Sequence, residues 1–173
     1  MGRAIRPSAG CTSGELMGET EPSALLARLD ELHDRVTDIL DRLADTTGSG
    51  RAGDDPSTDE SGGTWSVTDV LAHIGRWDEL SRSDLGAHLS GAPIPEQPKY
   101  RVLNAEWVGK DVELSLAEAR TRYKAAYAGL RQLLVEAEPE RWDGTVRDYV
   151  DTTIEHYKDH VRAPLEFEVA PGG

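Results

Sequence analysis

Only one of the 173 residues is a cysteine, Cys11. A single thiol excludes an intramolecular disulfide framework and any Cys-rich zinc module, and it suits a reducing compartment, the cytoplasm. Basic residues are few: 19 Lys and Arg stand against 32 Asp and Glu, a formal net charge of −13 with a pI near 4.7. Sequence-independent binding to nucleic acid and docking on an anionic membrane both need the opposite sign, so neither partner is expected. No apolar run has the length of a membrane span, and Met1–Thr20 lacks the apolar stretch of a signal peptide. Gly-rich phosphate loops, a Ser nucleophile elbow and a Cys-His pairing are also missing, which leaves kinase, dinucleotide-binding and hydrolase-triad chemistry without support.

What is there is helical. Residues 1–20 are rich in Gly, Ser and Thr and read as a disordered tail, as do 168–173. Between them a single domain is expected over 21–167. Leu25, Leu29, Leu32, Val36, Ile39 and Leu43 step by four and three along a first helix, Glu21–Leu43. A Gly/Asp/Ser-rich stretch, 44–64, reads as a flexible loop, long enough to cross over the bundle. Ser66-x-x-Asp69 has the shape of a capping box for a second helix, buried along Val67, Val70, Leu71, Ile74, Trp77 and Leu80 and stopped by Gly91 and Pro93. Gly91–Asp111 reads as a loop with a short helical turn. Ser115-x-x-Glu118 opens a third helix, which ends at Pro139. Thr145 caps a fourth, Val146 to Phe167, with Val146, Val150, Ile154, Tyr157, Val161 and Leu165 inward and Pro164 near its end. Four helices of about 20 residues without a convincing strand predict an all-α four-helix bundle.

The five histidines are the informative residues for chemistry. His156 and His160 stand four apart on the last helix, so both imidazoles face one side and can reach one metal ion at about 2.0–2.1 Å. At 100° per residue they share a face with Tyr149 and Thr153, a quarter turn from the core line, at the rim of the bundle. Two surface histidines on the flank of an amphipathic helix would give the same pattern. His73 lies among Val70, Ile74, Trp77 and Leu80, where an imidazole needs a partner. It reads either as a core histidine bonded to a carbonyl or carboxylate, or as a third ligand from across the bundle. Three neutral imidazoles with an open position make a Lewis-acid site suited to Zn, Ni, Fe or Cu. Asp69, four before His73, could orient that ring from outside. Trp65, Trp77, Tyr100, Trp107 and Tyr149 are either core or the lining of a small-molecule pocket. His33 reads as a rim residue, and His88 suits the end of its helix.

Two stretches resemble a known family. Thr64-Trp-Ser-Val-Thr-Asp-Val-Leu-Ala-His-Ile-Gly-Arg-Trp77 is similar to the second-helix signature of the DinB-like superfamily, and Thr153-Ile-Glu-His-Tyr-Lys-Asp-His160 to its last-helix signature. Leu103-Asn-Ala-Glu-Trp107 followed by Ser115-Leu-Ala-Glu118 resembles the ClbS/DfsB-type branch. The resemblance covers Pro22–Phe167 and implies a DinB-like four-helix bundle whose metal ligands fall on His73, His156 and His160. It also implies a homodimer and a small electrophilic substrate. Two activities come with it. One is metal-dependent transfer of a low-molecular-weight thiol of the mycothiol type, or hydrolysis, as in mycothiol-dependent maleylpyruvate isomerase. The other is metal-free binding or hydrolysis of a genotoxic natural product in self-resistance. A non-catalytic binding bundle is the third reading of the same residues.

Overall fold

The computed structural model describes residues 21–46, 51–54, 64–111 and 113–162. The expected tails, Cys11, Pro164 and Leu165 lie outside the described residues. So do parts of the expected loop. Five helices are described: α1 Pro22–Thr46, α2 Val67–Leu89, α3 Tyr100–Asp111, α4 Leu116–Glu136 and α5 Gly144–Arg162. A 3-10 turn, Pro139–Arg141, links the last two. The described residues form the helical bundle expected, and its four long helices are those the periodicity predicts.

Two features go beyond the expectation. β1, Arg51–Asp54, and β2, Thr64–Ser66, pair antiparallel within the stretch read as loop, with Arg51 opposite Ser66 and an irregularity between Ala52 and Asp54. The stretch read as a loop with one helical turn holds the 12-residue α3. It is weakly amphipathic and presents Tyr100 and Val102 to solvent, so the 3.6 periodicity that marks the other helices is faint there.

Helix ends follow local chemistry. Gly91, at φ +83°, closes α2 with Ala92 N–H donating to the Ala87 carbonyl and Gly91 N–H to that of His88, a Schellman arrangement that needs the left-handed residue. Ser115 and Glu118 cap α4 reciprocally, as the spacing predicts. The cap of α5 differs from the expectation. Asp143, rather than Thr145, accepts from Val146 N–H at 3.1 Å, because the helix begins two residues earlier, at Gly144.

The closest helix approaches are α2 on α4 and α1 on α5, with α2 on α5 and α1 on α4 completing the ring. Consecutive helices α1 and α2 therefore stand diagonally. Gly75 sets the α2–α4 distance: a Cβ there would stand 3.3 Å from Tyr123 Cα. Leu29, Val36, Leu71, Ile74, Leu130, Val146 and Ile154 fill the centre with at most 1% exposure. Each contributes about 1.5–3 kcal/mol by leaving water. Leu40 is fully buried beside the half-buried Ile39 of the expected seam, since a straight helix drifts relative to a seven-residue repeat.

One charged group sits wholly inside this core. Asp78 is 0% exposed; its Oδ2 accepts from Tyr157 O–H at 2.8 Å. Burial pushes its carboxyl up from its ordinary 3.8 to about 7, against the opposing effect of the Tyr157 hydroxyl. Between those two values the folded chain keeps a proton that the unfolded chain has lost. Stability therefore falls as pH rises across the window, and the penalty is complete above it. Asp78→Asn is expected to be more stable than the parent by about 2 kcal/mol at pH 8, with the difference fading toward pH 4. Urea midpoints at the two pH values check it.

Candidate metal centre

The i, i+4 spacing on α5 puts His156 and His160 on one side of that helix, and α2 brings His73 to meet them. His156 Nε2 lies 2.9 Å from His73 Nε2 and 2.9 Å from His160 Nε2. The three donor atoms all fall within 4.8 Å of one another. Ring centroids are 4.9, 5.0 and 4.6 Å apart, and each pair meets edge-on. His73 and His160 are 5% and 3% exposed, while His156 is half-buried. His160 is thus deeper than the rim position its wheel angle suggests, because the packing of α2 closes over that flank.

Burial first, then the neighbouring imidazoles, hold the His73 ring well below its ordinary range. His156 is lowered by burial and then by His160. Two effects of one sign keep these rings neutral, with lone pairs available. The donor set contains no carboxylate. Separations of 2.9 Å are shorter than twice a zinc–imidazole bond of about 2.0–2.1 Å, so one divalent ion can reach such a pair. Three inward-turned neutral nitrogens fit an ion of the kind imidazole ligands favour, and the three histidines could hold one.

Trp77 walls this group. Its indole meets His73 at 6.2 Å and His156 at 6.1 Å, both edge-on, and Trp107 of α3 packs against it at 5.1 Å. Of the other aromatic candidates, Tyr100 is 47% exposed at the start of α3. The Tyr149 hydroxyl donates to buried Asp84 at 3.1 Å, and seven residues of helix place it about 10 Å from His156. The side chain of Trp65 lies outside the described residues. Asp69 is half-buried one turn before His73. His33 stacks on Tyr127, centroids 3.7 Å apart, and His88 Nε2 lies 2.8 Å from Asp143 Oδ2, so both stand apart from the group. A surface cavity of about 370 Å³ beside His88, Glu140, Arg141 and Asp143 is at the far end of α2, away from these rings.

Two features escaped the sequence reading. Asn104, 3% exposed, accepts from the Trp77 indole N–H at 3.2 Å. Its spacing of three from Trp107 puts both on one face of a helix, a signal visible only once α3 is recognised. Asp111, 8% exposed, receives Arg76 through both Nε and Nη2, at 3.1 and 2.8 Å, and Arg122 of α4 at 3.1 Å. Arg76 and Arg122 together draw its carboxyl below the usual range, against the opposing effect of burial, and tie α3 to α2 and α4. The family described as mycothiol maleylpyruvate isomerase N-terminal domain matches residues 62–157, a span that carries His73 and His156 and stops short of His160. No curated protein and no solved structure matches the chain.

Asp111→Ala leaves two arginines facing a gap, and a loss of about 2–3 kcal/mol is expected from removing one partner of a largely buried pair. Amide hydrogen exchange in residues 100–111 should rise more than in α4.

Proposed function

We propose, for a chain that belongs to the mycothiol maleylpyruvate isomerase N-terminal domain family within the DinB-like superfamily, a metal-dependent reaction of a small electrophile. In this reading His73, His156 and His160 hold one divalent ion, and a low-molecular-weight thiol of the mycothiol type is the cosubstrate. The observation that carries it is the meeting of three imidazole nitrogens within 4.8 Å, drawn from two helices and 83 positions apart in the chain. A bound divalent ion would supply Lewis acidity, lowering the pKa of a thiol or water toward neutrality.

The chain's own residues do the rest. Burial keeps the His73 and His156 rings unprotonated across the working range, so no proton competes with the ion. Asp69, one turn before His73, is assigned the role of orienting that ring. Trp77 and Trp107 give the site an apolar wall that excludes water from one side and takes the non-reacting part of the substrate. The attacking sulfur comes from the cosubstrate: its S–H proton passes to water, the thiolate bonds to an electrophilic carbon of a polarised double bond, and the displaced π electron pair takes up a proton from water. A reducing cytoplasm, where such thiols stay reduced, suits this chemistry. Among the described residues no helix is long and apolar enough to cross a membrane. Two copies are expected to associate, as light scattering can check.

Elemental analysis of protein expressed in supplemented medium is expected to find about one divalent ion per chain. His156→Ala, which removes the shared donor, should lose it while keeping its helical circular dichroism. Thiol-dependent consumption of an electrophile should disappear with the ion and return on reloading. Metal-free protein after supplementation, or undiminished activity in His156→Ala, overturns the reading.

A further inference from the structure

Trp77 stands between the histidines and α3. One side of the indole meets the rings of His73 and His156 edge-on, at interplanar angles of 72° and 70°. From α3, Asn104 takes the indole N–H on its side-chain oxygen, and Trp107 packs across the ring. A second fastening of α3 runs from Asp111 to Arg76, next door on α2, and to Arg122 of α4. This helix contributes little to the central core: its buried apolar residue, Leu103, lies outside the main cluster. Its hydrogen bonds to α2 among the described residues fall on two consecutive residues, Arg76 and Trp77, and the second touches the imidazoles.

We infer that Asn104 is a positioning residue for the three-histidine centre, acting through Trp77. Its oxygen fixes the rotation of the indole, and the indole fixes the ring planes of His73 and His156. The physical basis is simple. An imidazole free to turn about its Cβ–Cγ bond no longer aims its lone pair, and a flat ring set edge-on to it resists that turn. Trp77 is half-buried and its indole N–H finds its acceptor in Asn104, so removing that acceptor frees the indole to turn. Outer contacts of this kind are worth about 10–100-fold in metal affinity. The inference rests on the metal reading above.

Co(II) is the probe. It is titrated into metal-free parent protein, Asn104→Leu, Asn104→Asp, Trp77→Phe and the Asn104→Leu/Trp77→Phe double variant, each first checked for native helix content. Asn104→Leu is expected to weaken Co(II) binding about tenfold and to shift its visible bands. Asn104→Asp keeps an acceptor oxygen and should recover both. The double variant should bind no worse than Trp77→Phe, because the effect passes through the indole. Parent-like affinity and bands in Asn104→Leu, no recovery in Asn104→Asp, or full additivity in the double variant overturns the inference. Should the parent take up no Co(II), the metal reading fails on its own. The imidazole Hε1 resonances of the metal-free proteins then decide: Asn104→Leu must shift those of His73 and His156, and unchanged resonances overturn the positioning role.

Discussion

Three imidazoles drawn out of water and turned toward one another form the constraint around which this bundle is arranged. Nitrogen atoms 2.9 Å apart cannot all carry protons, and burial already opposes the charged form of His73 and His156. The rings must remain neutral, and a neutral ring keeps a lone pair. Nitrogens facing each other in this way need a proton shared between them, or a cation, to satisfy their lone pairs. The packing around them has to hold what the rings alone would not.

The connectivity shows how. The tightest packing is within two helix pairs, α2 with α4 and α1 with α5. The histidines do not lie inside either pair. They lie where α2 meets α5, a lighter seam between the two. Each pair packs through its own apolar interface, so a side chain at the seam is positioned by two well-packed supports. Gly75 keeps α2 close to α4 two residues after His73, and Ile154 and Tyr157 anchor α5 in the core on either side of His156. α3 then closes over the outer side through Trp77 and Trp107.

Periodicity and end signals made the four long helices legible, because each rests on local physics. Gly91 stops α2 through its own φ, and Ser115 and Glu118 satisfy each other's orphan groups. The His156/His160 pair was visible for the same reason, as a local spacing. In the sequence His73 was visible only as an imidazole among apolar neighbours, a place where such a ring needs a bond. That it joins the pair is a fact of tertiary packing, and the family resemblance supplied the expectation. What stayed hidden is what depends on partners far along the chain. Asn104 looks like any polar residue until α3 folds against Trp77, and Asp111 looks like a surface acid until two arginines enclose it. Asp78 reads as a solvated residue beside Glu79, yet its rotation on α2 directs it to Tyr157. Tyr149 shares a helix face with His156, but the rise of the helix carries it to Asp84.

The donor set also bears on what the site can bind. Among the described residues no acidic side chain is a donor in this group. Carboxylate ligands would cancel part of the charge of a divalent ion. Three neutral imidazoles cancel none of it, so on the metal reading the full charge falls on whatever takes the remaining positions. In surroundings shielded by two indoles that charge is weakly screened, and an anionic ligand is strongly favoured over a neutral one. A thiol or a water entering there would be drawn toward its deprotonated form without any basic side chain of the protein. That chemistry needs neither the lone cysteine nor a catalytic acid, which is consistent with a chain in which no local motif for a nucleophile could be found.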